Sequence, residues 1–194
     1  MKKMTKNERR VQLLATAWEI VREHGTDALT LGALAQRAGI SKPIAYNHFQ
    51  TRSGLMIALY EDINQRRLQT VAAALQEIPA DLVSVASMLA SAYMACHAAL
   101  GPEWHAIGAA LRGDAEMQTY QQKMIDGYVE FYHRFLAPVS PLHTDEVQRR
   151  CIGIVGAAEA LSNAMVLGRV SEDLAAADLA LLTTMWLSAP RIGI

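Results

Sequence analysis

Apolar residues recur at intervals of three and four along this chain, and no segment alternates apolar and polar residues over the length of a strand. Intervals of three and four place apolar side chains on one face of an α-helix, whereas a half-buried strand needs a period of two. The first such pattern, which ends at Gly25, contains Val11, Leu14, Ala15, Trp18 and Val21. The sequence therefore predicts an all-α protein with about nine helices.

Capping residues and prolines indicate where these helices begin and end. Thr30 is a suitable N-cap for a short second helix that Gly39 closes. Ser41 is a suitable N-cap for a third helix, and Pro43 falls in its first turn, where a missing N–H group costs no helical hydrogen bond. The later helices are predicted over 53–77, capped by Ser53, and over 81–100, 102–112, 114–136, 144–167 and 171–187.

The predicted helices form two domains, a compact three-helix unit over 1–52 and a larger bundle over 53–194. The composition, 52% hydrophobic and 19% charged, is that of a folded protein. No run of about 18 apolar residues indicates a membrane span, and the basic N-terminus lacks the apolar segment of a secretion signal. We therefore expect a cytoplasmic protein with no membrane partner.

Positive charge is concentrated in the N-terminal third of the chain. Residues 1–67 contain eleven Lys and Arg against six Asp and Glu, although the net charge of the whole chain is −1. Such asymmetry indicates that one part of the chain meets a polyanion. Two readings stay open for the N-terminal basic residues, a flexible arm that adds phosphate contacts or a solubilising terminus. These residues are Lys2, Lys3, Lys6, Arg9 and Arg10.

The second and third predicted helices have the pattern of a helix-turn-helix, with a turn at Gly39 and polar residues crowding the second of the pair. In this motif the second helix enters the major groove and presents its N-terminal half to base edges. The exposed donors are predicted to be Lys42, Tyr46, Asn47 and His48. The core contacts are predicted to be Ile40, Ala45 and Phe49. Ile44 then points outward, where it is expected to meet a thymine methyl group.

The 26 residues from Thr30 to Leu55 resemble the DNA-binding signature of the tetracycline-repressor (TetR) family of bacterial regulators. The matching elements are a Thr that opens the second helix, Leu-Ala before an Ala-Gly turn, Ser-Lys-Pro, Tyr-x-His-Phe, and a basic residue three positions after that Phe. The resemblance covers roughly the first 55 residues. Beyond them only the helical layout and the length agree with the family.

The resemblance implies a role for each residue of the motif. Thr30 would touch a phosphate, and Arg52 would grip one from the start of the fourth helix. Residues 42–44 would face bases, whereas Tyr46 and His48 would hold the DNA backbone. The implied DNA contacts are Thr30, Ser41, Lys42, Pro43, Ile44, Tyr46, Asn47, His48 and Arg52.

Three positions of the motif leave the implied contacts open or changed. Asn47 would either read a base or bond a phosphate. Gly32 stands where some relatives carry an Arg that reaches a base, so that contact is absent here. Ala45 is smaller than the usual Leu or Ile, which leaves the third helix less tightly packed.

The last two predicted helices carry the expected dimer interface, because specific reading by one small domain normally needs two copies on a palindromic site. Apolar residues spaced 4, 3, 4, 3 and 4 apart form a seam typical of paired helices, and Gly153, Gly156 and Ala157 permit close approach. The predicted interface is Val147, Cys151, Ile154, Ala158, Leu161 and Met165, with Leu174, Leu181 and Met185 on the last helix. The alternative is that these residues form the core of one chain.

The middle helices contain aromatic and Met residues that suit a small-molecule cavity. The predicted lining is Tyr93, His97, Trp104, Met117, Tyr120, Met124 and Tyr128, with Glu159 and Asn163 as a polar pair for a ligand amine or hydroxyl. The alternatives are plain core for the stripe and an exposed or interface position for the pair. The resemblance favours the cavity, since family members usually bind an effector here, and it does not identify the effector.

Enzyme chemistry is not expected. Cys96 and His97 are adjacent in a helix, so their side chains point about 100 degrees apart, which does not suit a nucleophile and its base. The six His show no metal-ligand spacing, and no glycine loop suits a phosphate. We predict no catalytic residue, metal or cofactor, and expect Cys96 and Cys151 to be free thiols.

The predicted function is therefore a dimeric transcriptional repressor. It would bind a palindromic double-stranded DNA operator and leave it when a small-molecule effector binds. The alternative is a DNA-binding regulator without an effector, controlled by a protein partner or by its own abundance.

Overall fold

The computed structural model describes residues 4–110 and 115–188, without the side chains of 100–110 and 115–118. Within these ranges the chain forms eight α-helices, two short 3₁₀ turns and no strand, which confirms the all-α prediction. The helices are α1 (Lys6–His24), α2 (Leu31–Arg37), α3 (Lys42–Phe49), α4 (Arg52–Ala74), α5 (Leu82–Ala110), α6 (Ala115–Leu136), α7 (Thr144–Val166) and α8 (Glu172–Ser188). The 3₁₀ turns are Thr26–Ala28 and Ala137–Val139.

Hydroxyl caps begin the first helices. The Thr5 hydroxyl accepts a hydrogen bond from the Glu8 N–H at 3.2 Å, and the Glu8 carboxylate accepts one from the Thr5 N–H at 2.7 Å. The Thr30 hydroxyl accepts from the Ala33 N–H at 3.0 Å, which confirms Thr30 as the N-cap of α2. Gly39 turns the chain toward α3 with a φ of 64°, a conformation that strains other residues.

Two predicted helix boundaries are wrong. The hydroxyl that caps α4 belongs to Thr51, which accepts from the Gly54 N–H at 2.9 Å, and not to Ser53. The predicted break at Gly101-Pro102 does not occur. α5 runs without interruption from Leu82 to Ala110. A proline removes one helical hydrogen bond, and the turns before and after it keep theirs. One long helix thus replaces the two that were predicted.

The chain divides into two compact units, described separately below. The first is Met1–Arg66 with Pro102–Tyr120, and the second is Arg67–Gly101 with Gln121–Ile194. The chain passes from one unit to the other after Arg66, after Gly101 and after Tyr120. The boundary predicted after residue 52 stays a prediction.

The core of the first unit lies between α1, α2, α3 and the start of α4. Its buried face on α1 is Leu13, Leu14, Ala17, Ile20 and Val21. This face is rotated from the predicted stripe, since Val11 is 48% exposed and Ala15 is also exposed. The rotation arises because Leu13, Ala17 and Ile20 supply a second apolar row that the stripe did not include.

The core of the second unit lies between the end of α4 and the helices α5, α6, α7 and α8. α7 and α8 approach closely at Gly153, where a Cβ atom would lie 2.4 Å from the indole ring of Trp186. Gly153 therefore accommodates a side chain of its own chain, although the sequence suggested that it permits the approach of a partner helix. Cys96 and Cys151 are both free thiols.

Four of the six residues of the predicted dimer seam on α7 are buried within the single chain. Val147, Cys151, Ile154 and Ala158 have no exposed surface in the single chain, and Leu161 and Met165 pack partly buried against the same core. A side chain with no exposed surface has none to offer a partner, so these four residues favour the alternative of an intramolecular core, whereas an interface at Leu161 and Met165 stays a prediction. The predicted residues of α8 lie differently, because Leu174, Leu181 and Met185 are about 60% exposed, at 59%, 59% and 62%.

One segment of α5, Leu82–Ala99, is long and apolar enough to cross a membrane by length and composition alone. Core helices of soluble proteins meet the same criterion. Here Val85, Ala86, Leu89 and Ala90 are buried inside the second unit. The segment therefore reads as a core helix of that unit.

Candidate functional site

α3 holds one face in the core and leaves the other free. Ala45 and Phe49 are 0% and 4% exposed, whereas Ile44 and Tyr46 are 38% and 52% exposed. The rest of the predicted DNA-contacting set on this helix is exposed apart from the half-buried His48: Lys42, Pro43 and Asn47. The exposed polar side chains thus have no packing role that would explain them, which is the arrangement that a recognition helix needs.

The N-terminal ends of α2 and α3 lie side by side. A Cβ atom at Gly32 would be 3.8 Å from Cε of Lys42 and 3.8 Å from the Thr30 hydroxyl. The Lys42 side chain therefore passes over Gly32, which leaves it room to move. Ser41 occupies the N-cap position of α3, but its hydroxyl makes no capping hydrogen bond, so the hydroxyl is free for other contacts.

Gly54 fixes the junction between α3 and α4. A Cβ atom here would lie 2.3 Å from the carbonyl oxygen of Phe49, which is closer than two non-bonded atoms can approach. The link between the two helices is only Gln50 and Thr51, and Gln50 has a φ of 61°. A glycine in the first turn of α4 is therefore required for this tight connection, and spacing in the sequence did not reveal that role.

Arg10 of α1 braces the end of α3. Its Nη1 donates a hydrogen bond to the carbonyl oxygen of His48 at 3.3 Å, and its guanidinium lies 5.2 Å from the centre of the Phe49 ring. The last carbonyl groups of a helix lack partners within the helix and attract positive charge. Arg10 supplies both a donor and a charge at that point, so it acts as a positioning residue for α3.

The positive charge around His48 comes from α1. Partial burial lowers the pKa of His48, and the nearby charges of Lys6, Arg10 and Arg9 lower it further. These three basic residues belong to a regular helix, whereas Lys2 and Lys3 lie outside the described residues. The first unit therefore carries a fixed basic cluster beside the C-terminal end of α3.

The Arg52 side chain forms its hydrogen bonds within the first unit. Its Nε donates to the carbonyl oxygen of Leu29 at 2.9 Å, and its Nη2 donates to that of Thr26 at 2.8 Å. Asp27 lies 3.8 Å from the same nitrogen. Arg52 thus ties the start of α4 to the 3₁₀ turn that follows α1, a role that the sequence did not predict.

The residues predicted for the effector pocket are distributed over both units. Tyr93, His97, Tyr128 and Glu159 belong to the second unit, whereas Tyr120 belongs to the first, where its ring lies edge-on to Tyr60 at 5.9 Å. Met124 is half-buried in α6, and Asn163 is exposed on α7. Trp104 and Met117 lie outside the residues whose side chains are described.

Aromatic and polar side chains of the second unit meet between α5, α6 and α7. The Tyr93 and His97 rings stack with centres 4.6 Å apart, and the Tyr128 ring meets Tyr93 at 5.9 Å. Ser162 is buried, and its hydroxyl donates to the carbonyl oxygen of Glu159 at 3.0 Å. The sequence placed three of these side chains in one site, and it missed Ser162.

Comparison with known proteins connects the first unit to a family of regulators. Residues 13–59 match the family model of bacterial regulatory proteins of the tetR family. Over 59 residues the chain is 37% identical to the HTH-type transcriptional activator FasR of Mycolicibacterium smegmatis. That match covers 30% of this chain and 27% of the relative, so it spans less than a third of either protein.

Solved structures extend the similarity of fold to the whole chain. A putative TetR-family transcriptional regulator from Syntrophomonas wolfei is similar with a TM-score of 0.74 and 15% identity, covering 97% of this chain and 100% of that one. The regulator FadR from Bacillus subtilis, solved in complex with stearoyl-CoA, gives 0.62 and 15% identity over 93% and 99% of the two chains. At this identity the likeness concerns the fold.

Proposed function

We propose that this chain, which belongs to the TetR family of bacterial transcriptional regulators through its N-terminal domain, represses transcription by binding a palindromic operator as a homodimer and leaves it when a small molecule binds. The observation that carries the proposal is the division of α3 into a buried face, Ala45 and Phe49, and an exposed polar face. Regulation of this kind takes place in the cytoplasm, and the chain acts by binding, without catalysis.

DNA binding is supported by the chemistry of the exposed face of α3. Lys42 and Tyr46 offer donors to phosphates or bases, and Ile44 offers an apolar surface that suits a thymine methyl group. The basic cluster of Lys6, Arg9 and Arg10 lies at the other end of the same helix and adds positive charge that suits the DNA backbone.

A gel shift with the DNA upstream of the protein's own gene tests this step. Lys42→Ala and Tyr46→Ala are expected to weaken binding by about 1–3 kcal/mol each, roughly 5- to 150-fold. Lys123→Ala, which removes an exposed positive charge from α6, is the matched control and should bind as the wild type does. Equal affinity of all four proteins would contradict the proposed reading surface.

Dimerisation is supported by an apolar surface that the single chain leaves uncovered on α7 and α8. Its large side chains are Ile152 on α7 and Leu167 directly after it, with Leu174, Leu181, Leu182, Met185 and Trp186 on α8. Exposed apolar side chains concentrated on two adjacent helices are typical of an interface between subunits. We therefore propose the exposed face of these two helices, in place of the buried seam, as the dimer interface.

Sedimentation velocity tests the interface with a pair of variants of equal exposure. Leu181 and Val83 are both 59% exposed, but only Leu181 lies on the proposed surface. Leu181→Asp is expected to give a folded monomer with at least about tenfold weaker operator binding, because one reading domain contacts few bases. Val83→Asp should remain a dimer. A dimeric Leu181→Asp, or a wild-type monomer that binds the operator fully, would exclude this interface.

The sign of regulation and the effector need a separate measurement. FasR is by name an activator, so the family alone does not fix the sign. In a reporter strain, deletion of the gene is expected to raise transcription from its own promoter. A fall in transcription would make the protein an activator, and a promoter that no added compound releases would favour control by a protein partner or by abundance.

A further inference from the structure

Gly32 lies in the first turn of α2, where neither its backbone nor its immediate neighbours require a glycine. The positive φ values of glycines in the described part of the chain occur at Gly25, Gly39 and Gly168, and not at Gly32. A Cβ atom at Gly32 would meet its nearest neighbours at 3.8 Å, which is ordinary van der Waals contact. Because glycine is less favourable than alanine within a helix, Gly32 lowers the stability of α2 without a local reason.

The space beyond that Cβ position is occupied by the Lys42 side chain. The two neighbours at 3.8 Å are Cε of Lys42, the carbon that carries the ammonium group, and the hydroxyl oxygen of Thr30. The Thr30 hydroxyl is held in place because it accepts a hydrogen bond from the Ala33 N–H at 3.0 Å. Long side chains of a helix point back toward its N-terminus, which here is the side of Thr30 and Lys42. A side chain longer than alanine at position 32 would therefore displace Lys42.

Lys42 does not stabilise the helix to which it belongs. It is the first residue of α3, and a positive charge at this end of a helix is repelled by the helix dipole. The Lys42 side chain is exposed, and the neighbouring Ser41 hydroxyl makes no capping hydrogen bond. The ammonium group is thus placed where an external hydrogen-bond acceptor, and not the fold, benefits from it.

We propose that Gly32 is a positioning residue that determines operator specificity. Because position 32 has no side chain, Lys42 lies across the first turn of α2, and its ammonium group donates to N7 and O6 of one guanine in each half-site. Gly32 acts through Lys42 and touches no base itself. This inference rests on the proposed function, because it names the base that the exposed face of α3 reads.

The place and the chemistry of Lys42 favour a guanine over a phosphate or another base. The N-terminal residues of a recognition helix contact base edges, and Lys42 is in the first turn of α3. A lysine has donors and no acceptor. Guanine is the base that presents two acceptors side by side in the major groove.

Selection from a randomised double-stranded DNA library tests the base preference directly. The wild type is expected to select a guanine at one position of each half-site. Lys42→Ala and Gly32→Leu should both lose the preference at that position and keep the others. Gly32→Ala should retain it, since its Cβ atom only touches Lys42. Gly32→Gln gives a second long side chain without added apolar surface, and it should lose the preference as Gly32→Leu does.

Gel shifts with the selected duplex measure the coupling between the two residues. Gly32→Leu is expected to weaken binding by at least about fivefold in the wild type, and by less than about twofold when Lys42 is already alanine. Replacing the selected guanine by 7-deazaguanine, which lacks the N7 acceptor, should weaken binding by the wild type and not by Lys42→Ala. Gly127→Leu, the same change at an exposed glycine of α6 with open space around it, is the matched control and should bind as the wild type does.

Three outcomes would overturn the inference. They are an unchanged guanine preference in a folded Gly32→Leu or Gly32→Gln, additive effects of Gly32→Leu and Lys42→Ala, and a Lys42→Ala protein that keeps every base preference while its salt slope falls by about 1, which would assign Lys42 to a phosphate. Each of them leaves operator binding by the wild type intact, so the proposed function stands. A wild type that selects no sequence contradicts both.

Discussion

α3 and α7 are both predicted to carry functional surfaces, and α3 presents its predicted side chains to solvent whereas most of the predicted seam of α7 is buried. On α3, Ile44 and Tyr46 are exposed as expected. On α7, Ile154 and its neighbours on the predicted seam are buried, while Ile152, two positions away, is 59% exposed. The two helices differ in length and in the number of apolar faces, and this difference decides how far a sequence pattern can be trusted.

A short helix with few apolar residues can bury only one of its faces. α3 has eight residues, and once Ala45 and Phe49 are in the core the remaining side chains must face outward. α7 has 23 residues and apolar side chains on both faces, so a heptad-like spacing identifies a row without saying what covers it. A row of apolar side chains on a helix predicts that the row is buried. Whether the same chain or a second subunit covers it depends on which helices pack against it.

The largest effect should come from the buried row of α7. Ile154→Ala removes a fully buried side chain and is expected to lower the free energy of unfolding by about 2–5 kcal/mol in urea titrations. Ile152→Ala, on the exposed face, should cost less, and if this face lies between subunits its cost should shrink as the protein is diluted until the wild type dissociates as well. If Ile154→Ala and Ile152→Ala lower the free energy of unfolding equally at all protein concentrations, the two faces of α7 do not differ in burial.

Much of the first unit was predictable because its turns have strong local signals. The N-cap at Thr30, the turn at Gly39 and the exposed face of α3 all follow from short-range chemistry. The positions that were missed depend on contacts between residues far apart in sequence. Arg10 reaches α3 from 38 residues away, and no spacing rule connects the two.

The second unit was less predictable because several of its apolar rows are equivalent in sequence. The rule that Gly-Pro ends a helix did not hold at Pro102, within α5. Leu181 is exposed and Cys151 is buried, although both lie on rows of similar spacing. Hydrophobic periodicity fixes which residues share a face, and packing fixes which face is inside.

Arg52 allows a sharper test of which side chains of the first unit serve DNA and which serve the fold. Arg52→Gln removes two charge-assisted hydrogen bonds to backbone carbonyls. Because the side chain is 43% exposed, we expect a loss of about 1–2 kcal/mol in unfolding free energy, near the lower end for such bonds. In salt-dependent gel shifts the slope of log affinity against log salt should be unchanged if the role is structural. A slope smaller by about 1 would show a phosphate contact.

Arg10 should have a smaller effect of mixed kind. Arg10→Gln removes the positive charge above the Phe49 ring and weakens the bond to the carbonyl oxygen of His48. We expect a loss of about 0.5–1 kcal/mol in unfolding free energy. Operator affinity should fall by a few-fold, and it should be partly restored by Arg10→Lys, which keeps the charge. The matched control is Arg22→Gln, since Arg22 is exposed at the other end of α1. An effect of Arg22→Gln equal to that of Arg10→Gln would assign the loss to net charge.

Glu159 gives the smallest and most informative effect, because it lies between the buried and exposed faces of α7. Its pKa is raised in the folded chain from an ordinary 4.5, so the folded state prefers the protonated acid. The ionised Glu159 carboxylate therefore destabilises the folded state. This destabilisation is absent below the ordinary pKa and grows as the pH rises through the raised folded pKa.

Glu159→Gln should therefore melt above the wild type at pH 8, by no more than about 3 °C since the site is half exposed. The difference should shrink toward zero as the pH falls to 4.5. Glu130→Gln, an equal change at an exposed position of α6, should show no such trend. A Glu159→Gln protein that melts below the wild type at pH 8 would mean that the carboxylate is paired with a cation in solution, and the border between the two faces of α7 would then belong to the interface between subunits.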